Sequence, residues 1–203
     1  CKIETREIHR FSHDIVHEDG FLKWDWPRIK REVFRGLEKT FAELNGEKLS
    51  SISCDSWAQD FGLLDKNGTL IFSPVSYRDT RTNGVPDKIK KIVTPESLLK
   101  RNGAALSPIT SLCQLKAMSV KNPEILENAS SLLHIADLLN FELCGVAASN
   151  WTSATVSQLW NIQNDKWDFE LLEKLDIPSH FLPKVLREPQ KIGVVSDGAL
   201  RGT

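Results

Sequence analysis

The stretch CDSWAQDFGLLDKNGTLIFSPVSYRDTRT, from Cys54 to Thr82, carries the pattern that decides the fold. A polar turn at Trp57–Asp60 is followed by an apolar run at 61–64 and by Asp-Lys-Asn-Gly at 65–68. Asn-Gly favours a tight hairpin because both residues accept positive φ angles. The stretch therefore predicts a strand, a turn, a second strand, a hairpin and a third strand, which ends in a charged cluster at residues 77–82.

The flanking sequence predicts further strands first and helices later. Alternation and dense charge in KIETREIHRF predict an edge strand over residues 2–11, and FLKWDW predicts another strand. A helix is predicted from an Asp25 N-cap, with Pro27 in its first turn and Asn45-Gly46 closing it. KLSSISCDSW predicts a buried strand, helices punctuated by proline follow over 87–142, and the tail carries one short strand. This order predicts an α/β or α+β domain.

The composition excludes several classes of function. The 203 residues carry a formal net charge of −1, so the chain lacks the basic face that duplex nucleic acid requires. No apolar run approaches the length of about 18 residues that a membrane-spanning helix needs, and the charged start CKIETREIHRF is not a secretory signal. We therefore expect neither a nucleic-acid partner nor a membrane partner.

Cysteine and histidine usage gives no pattern typical of a metal site. Cys1, Cys54, Cys113 and Cys144 lie far apart, which predicts reduced thiols in a cytosol. Three histidines, His9, His13 and His17, follow an i, i+4 spacing. They lie in a segment that reads as extended chain and turn, so we expect scattered surface histidines rather than metal ligands.

The turn DSWAQD and the cluster YRDTRT are the two candidate functional segments. Polar side chains between two apolar strands can line a crevice, and the ring of Trp57 offers a flat face to a sugar. From the residues alone, a polar turn with a packing tryptophan is slightly favoured over a ligand site. Arg78, Asp79 and Arg81 are predicted to form an ion-pair cluster that fixes the chain between sheet and helices. The alternative, that they line one side of a polar-ligand site, is less favoured.

Three segments in this order carry a resemblance to a known family: REIHRFSHDIVHEDGFLKWDWPRIKREVFRGL, SCDSWAQDFGLLDKNGTLIFSPVSYRDTRTNG and SNWTSATVSQLWNIQNDKWDFELL. They resemble the first domain of the FGGY carbohydrate kinases, and most closely the rhamnulokinase branch, from about Arg6 to about Val195. The resemblance implies an α/β, ribonuclease H-like (actin-like ATPase) domain with a mixed sheet flanked by helices. It implies ATP-dependent phosphorylation of a ketose such as L-rhamnulose at a primary hydroxyl, with ATP and Mg²⁺ as cofactors.

The resemblance also assigns site residues. Trp57, Ala58, Gln59 and Asp60 match the turn that contacts the sugar. Trp57 is expected to wall the sugar, and Asp60 either to bond its hydroxyls or to brace the turn. The branch usually has glycine at the position of Ala58, which leaves the identity of the sugar open. Asp79 and Arg81 match a cluster that lies behind the site.

Some of the family's machinery is not found in these 203 residues. The resemblance implies a preceding strand that approaches the ATP phosphates, a second domain, and a general-base Asp about a dozen positions beyond Thr203. Asp197 is expected to be a loop residue. Residues 1–203 are therefore expected to be an incomplete N-terminal domain, inactive alone and cytoplasmic. The alternatives are a kinase for another ketose or polyol, and a non-catalytic sugar-binding fragment.

Overall fold

The computed structural model describes residues 2–196 and shows short strands surrounded by helices. Asp197 lies outside the described residues. In chain order the elements are β1 (Ile15–Glu18), β2 (Phe21–Trp24), α1 (Trp26–Glu43), β3 (Phe61–Leu64), β4 (Leu70–Phe72), a 3₁₀ turn (Thr80–Thr82), α2 (Val85–Lys90), α3 (Pro95–Asn102), α4 (Ser111–Lys121), α5 (Pro123–Asn128), β5 (Ser131–His134), α6 (Ile135–Cys144), β6 (Ala148–Asn150), α7 (Trp151–Val156), β7 (Trp160–Asn161), β8 (Lys166–Trp167), α8 (Phe169–Lys174) and β9 (Lys184–Leu186).

Strand β3 is the centre of a three-stranded antiparallel sheet in the order β4-β3-β5. All four of its residues are buried, which fits its unbroken apolar sequence because both faces of the strand are covered. Helix α6 packs so closely on β3 that a Cβ added at Gly62 would lie 2.9 Å from Leu138. Next to β5 lies β6, which pairs with β9 in parallel, so the strands include both antiparallel and parallel neighbours.

The hairpin β1-β2 leads directly into the first long helix. The Asp25 side chain accepts a hydrogen bond from the backbone N–H of Arg28 at 3.1 Å, and Pro27 occupies the first turn. Both features confirm the predicted start of α1. Asn45 and Gly46 have positive φ angles of 48° and 91°, which end the helix as expected. The hairpin at 65–68 and the helices predicted over 87–142 are also confirmed.

Two predicted strands are wrong. Within the described part of the chain, neither residues 2–11 nor residues 48–57 are assigned to a strand or paired with one. Phe11, Cys54 and Trp57 pack against the buried cluster that includes Trp26, whereas Ile3 and most of residues 2–10 are exposed. A strand needs a neighbouring backbone to pair with as well as a suitable pattern of side chains. The third predicted strand is short because regular pairing ends at Phe72.

The three N-terminal histidines do not share one environment. His13 and His17 are exposed, as expected, whereas His9 is half-buried against α1. The two ring nitrogens of His9 lie 2.7 Å from the Glu32 carboxylate and 2.9 Å from the Lys39 ammonium. Since lysine only donates, His9 accepts at Nδ1 and donates to Glu32 through Nε2. This segment is therefore held along α1 by side-chain contacts.

Candidate sugar-binding turn

The turn Trp57–Asp60 immediately precedes β3 and combines an exposed tip with a buried base. Ala58 is exposed, while Trp57 and Gln59 are half-buried. Gln59 adopts a left-handed conformation with a φ of 79°, which is uncommon for a residue other than glycine. Asp60 is completely buried, with no exposed surface. The turn thus combines the exposed Ala58 with a buried carboxylate at the start of an apolar, buried strand.

The carboxylate of Asp60 is held by three side chains. Its Oδ2 accepts hydrogen bonds from the indole Nε1 of Trp24 at 2.7 Å and of Trp57 at 3.0 Å. Its Oδ1 accepts from Nε2 of Gln114 at 3.1 Å. Burial raises the pKa of Asp60, while these bonds and one from the backbone of Tyr77 lower it. All of these contacts are made with other groups of the protein, so the Asp60 carboxylate fixes the turn in place. We call Asp60 and its partners Trp24, Trp57 and Gln114 the brace of the turn.

The ring of Trp57 packs among other aromatic rings. Its centroid lies 4.7 Å from that of Trp24 and 5.2 Å from that of His13, which stacks on it at an interplanar angle of 18°. An open cleft of about 340 Å³ lies beside Trp57 and is also lined by Asp55 and Leu139. Ala58 does not line this cleft. The cleft therefore adjoins the turn at Trp57, and Ala58 lies just outside it.

Asp79 and Arg81 form a buried pair next to this brace. The carboxylate of Asp79 accepts from the backbone N–H of Leu22 at 2.7 Å and of Arg81 at 2.8 Å. The guanidinium of Arg81 donates to Oε1 of Gln114 at 2.6 Å, and Gln114 in turn donates to Asp60. Burial lowers the pKa of Arg81, and the charges of Asp79 and Asp60 oppose this. The two sequence clusters are thus one continuous network.

Arg78 is not part of this network. It is exposed, and its guanidinium lies 5.6 Å from the ring centroid of Tyr77. The ion pair predicted for the cluster therefore involves Asp79 and Arg81 alone, with 3.5 Å between charged atoms. A buried ionic pair next to the turn is better suited to fixing its position than to contacting a ligand.

Sequence reasoning missed four residues around the turn. Trp24, Ser111 and Gln114 form hydrogen bonds with it, and His134 forms one with Ser111. All four are at least nine-tenths buried. Ser111 and Gln114 are three positions apart in α4, so they share the face that also buries Met118. The sequence signal for Ser111 and Gln114 was the presence of two polar residues on an otherwise apolar helix face.

Within residues 2–196, no group of three or more His, Cys, Asp or Glu side chains is arranged to hold a metal ion. The same residues contain no helix that is both long and apolar enough to cross a membrane. At the turn, the described side chains offer hydrogen bonding, ring contacts and exclusion of water.

Comparison with proteins of known sequence shows close relatives along nearly the whole chain. A rhamnulokinase from Mannheimia succiniciproducens is 35% identical over 193 residues, which are 95% of this chain and 40% of that protein. A rhamnulokinase from Yersinia pestis is 36% identical over 192 residues, which are 95% of this chain and 39% of that protein. The chain thus spans about 40% of the length of these relatives.

Comparison with solved structures shows the same fold. A ligand-bound xylulose kinase from Lactobacillus acidophilus matches with a TM-score of 0.84 at 19% identity, covering 95% of this chain and 39% of that one. A Plasmodium falciparum glycerol kinase with ADP matches with a TM-score of 0.79 at 17% identity, covering 94% and 40%. These likenesses confirm the α/β, actin-like fold expected from the sequence. The family described as the FGGY family of carbohydrate kinases, N-terminal domain, matches residues 2–203, and the chain belongs to that family.

Proposed function

We propose that the protein carrying this chain is an ATP-dependent kinase that phosphorylates a ketose such as L-rhamnulose at a primary hydroxyl. In this proposal the 203 residues supply the sugar-binding domain. The observation that carries it is the turn Trp57–Asp60, whose exposed tip is fixed by a fully buried carboxylate. The identities of 35% and 36% to rhamnulokinases favour L-rhamnulose among the ketoses.

The residues of the turn have different roles in the proposal. Ala58 presents the exposed backbone that the sugar approaches, and the ring of Trp57 walls it on one side. Gln59 shapes the turn by its left-handed backbone. Of the two roles expected for Asp60, bracing is the one its contacts support, because its carboxylate is buried and bonded to Trp24, Trp57 and Gln114. Asp79 and Arg81 hold this brace from behind.

The proposed chemistry is in-line transfer of a phosphoryl group, which depends mainly on positioning and on neutralisation of charge. ATP with Mg²⁺ supplies the phosphoryl group. In this proposal the present chain contributes orientation of the acceptor sugar, through the turn Trp57–Asp60 and the residues that hold it. We propose that the general-base Asp, the phosphate-binding strand and the second domain are provided by other parts of the protein.

We further propose a cytoplasmic location. The thiols of Cys54, Cys113 and Cys144 are all free, which is the form expected in a reducing compartment.

The test is ADP release by the purified natural full-length protein with Mg-ATP and four ketoses, namely L-rhamnulose, L-fuculose, L-ribulose and D-xylulose. We expect the highest kcat/KM with L-rhamnulose, and a product phosphorylated at its primary hydroxyl by ³¹P NMR. Turnover of none of the ketoses, by a sample of verified intact mass, would contradict the proposal and favour a non-catalytic sugar-binding protein.

A second candidate is a kinase of the same family that acts on another ketose or on a polyol. The observation that favours it is Ala58, since the rhamnulokinase pattern has glycine there and an added methyl crowds a close approach of a sugar to the backbone. The variant Ala58→Gly separates the two. An unchanged kcat/KM for L-rhamnulose would show that Ala58 does not crowd this sugar and would support the first candidate. A rise for L-rhamnulose together with a loss of a preferred activity on another sugar would support the second.

A further inference from the structure

The side-chain amide of Gln59 bridges the ends of two helices. Its Oε1 accepts a hydrogen bond from the backbone N–H of Ser111, the first residue of α4, at 3.0 Å. Its Nε2 donates to the backbone carbonyl of Val156, the last residue of α7, at 2.9 Å. Both of these groups are at helix ends, where backbone groups lack partners within the helix. The amide is therefore engaged at both ends by the protein.

Ser111 holds the backbone of the turn as well as its side chain. The Ser111 hydroxyl is completely buried and donates to the backbone carbonyl of Gln59 at 2.7 Å. Nε2 of Gln114 lies 3.4 Å from the same carbonyl. A left-handed conformation costs a residue with a Cβ about 1–2 kcal/mol, so it persists only where the surroundings impose it. Ser111 provides the shortest of these contacts to Gln59.

His134 fixes the direction of the Ser111 hydroxyl. Its Nε2 lies 3.2 Å from Ser111 Oγ. A hydroxyl has one proton, and Ser111 gives it to Gln59, so the hydrogen bond must be donated by His134. The network thus assigns the proton of the imidazole to Nε2. Among residues 2–196, Nδ1 finds no hydrogen-bond partner, and it lies 4.0 Å from the Asp137 carboxylate.

Ser111, His134 and Asp137 are the side-chain types of a hydrolytic Ser-His-Asp arrangement, but their geometry does not support that chemistry. Ser111 and His134 are 0% and 1% exposed, so no substrate reaches them. The imidazole donates to the hydroxyl, whereas a general base must accept the proton of its nucleophile. Asp137 instead accepts hydrogen bonds from Ser149 and Asn150, the last two residues of β6. These side chains therefore connect the turn with α4 and β5, and α6 with β6, by hydrogen bonds.

We propose that Ser111 and His134 are positioning residues for the acceptor sugar. His134 orients the hydroxyl of Ser111, and Ser111 fixes Gln59 in its left-handed conformation. Through Gln59 the pair sets where the backbone of Ala58 and the ring of Trp57 meet a ketose. This inference rests on the proposed sugar kinase function.

The test compares variants of the natural full-length protein in pairs. Ser111→Ala and His134→Leu remove the hydroxyl and the donor, whereas Ser111→Thr keeps a hydroxyl and His134→Gln keeps an N–H at a similar distance. Ser119→Ala is the matched control, because Ser119 lies on the same helix and bonds only the carbonyl of Lys116. We expect KM for the preferred ketose to rise about tenfold in Ser111→Ala and His134→Leu. KM for ATP and kcat should change less than about twofold, and the Thr and Gln variants should restore KM.

A second readout does not depend on activity. Hydrogen exchange followed by mass spectrometry should show faster exchange in peptides covering residues 55–62 and 109–115 for Ser111→Ala and His134→Leu. Exchange elsewhere should match that of the wild-type protein and of Ser119→Ala. This readout also identifies a variant that is globally unfolded, because all its peptides would exchange quickly.

The outcomes separate the two proposals. If the wild-type protein turns over no ketose, the kinase function is wrong, and the positioning role for a sugar is overturned with it. If the wild-type protein is active but both variants keep its KM for the ketose, the kinase function stands and the positioning role is overturned. Equal rises in KM for ketose and ATP would also overturn it, because they indicate a general loss of structure.

Discussion

The carboxylate of Asp60 lies 2.7 Å from the indole nitrogen of Trp24, although 36 residues separate them in the chain. This contact joins the end of the β1-β2 hairpin to the start of β3 and fixes the base of the turn Trp57–Asp60. The same oxygen atom accepts from Trp57, a residue of the turn itself. Oδ2 of Asp60 thus orients the indole groups of both Trp24 and Trp57. Since Trp24 lies in the core and Trp57 in the turn, a change at Asp60 should affect both the stability of the core and the shape of the turn.

The variant Asp60→Asn tests the brace. An amide has one accepting oxygen, so its NH₂ group must face either the indole donors or the donating Nε2 of Gln114. We expect the free energy of unfolding to fall by about 1–3 kcal/mol, as for a buried donor left without an acceptor. Urea unfolding measures this. The exposed Asp55→Asn is the control and should change stability by less than about 0.5 kcal/mol. Equal effects of the two variants would show that the brace does not stabilise the fold.

Alanine substitutions at two glycines should change the stability of the protein in opposite directions. A Cβ at Gly62 would lie 2.8 Å from Leu70 and 2.9 Å from Leu138, so Gly62→Ala should destabilise the protein by about 1–3 kcal/mol through overpacking. Gly36 lies inside α1, and a Cβ there would meet only His9, at an ordinary 3.4 Å. Gly36→Ala should stabilise the protein by up to about 1 kcal/mol because alanine favours the helix. Thermal unfolding of both variants measures the difference. A Gly62→Ala variant as stable as the wild-type protein would contradict the packing around β3.

His134 predicts a dependence of stability on pH. Burial lowers the pKa of His134 from 6.5 to about 4, so the unfolded chain takes up a proton at this side chain more readily than the folded protein. The contribution of His134 is therefore full above pH 6.5 and is lost as the pH falls through about 4, by up to about 3 kcal/mol. Urea unfolding at several pH values should show this slope in the wild-type protein. In His134→Gln the slope between pH 6.5 and pH 4 should be smaller, and an unchanged slope would exclude His134 as its source.

Two thiols should resist alkylation in the folded protein. Burial raises the pKa of Cys113 to about 11, and it does the same for Cys54, so little reactive thiolate exists at pH 8. We expect iodoacetamide at pH 8 to label both slowly in native conditions and rapidly in urea. Mass spectrometry of the labelled peptides measures the two rates. Rapid native labelling of Cys113 would contradict its complete burial.

Local sequence signals predicted the parts of the fold that depend on neighbouring residues. The Asp25 cap with Pro27 fixed the start of α1, and Asn67-Gly68 fixed the hairpin between β3 and β4, because caps and tight turns are made within a few residues. The motifs around Trp57 and Asp79 also selected the segments that form the candidate site and the family to which the chain belongs.

Only the tertiary structure decided what those residues contact. Residues 2–11 and 48–57 have a strand pattern, yet no described strand pairs with either, since pairing depends on a distant backbone. Likewise, the sequence left Asp60 with two roles, and burial against Trp24 and Gln114 supports the bracing one. The links from Gln59 to Ser111 and from Ser111 to His134 join positions 52 and 23 residues apart. Hydrogen bonds of this range follow from how the helices pack on β3, and no local pattern encodes them.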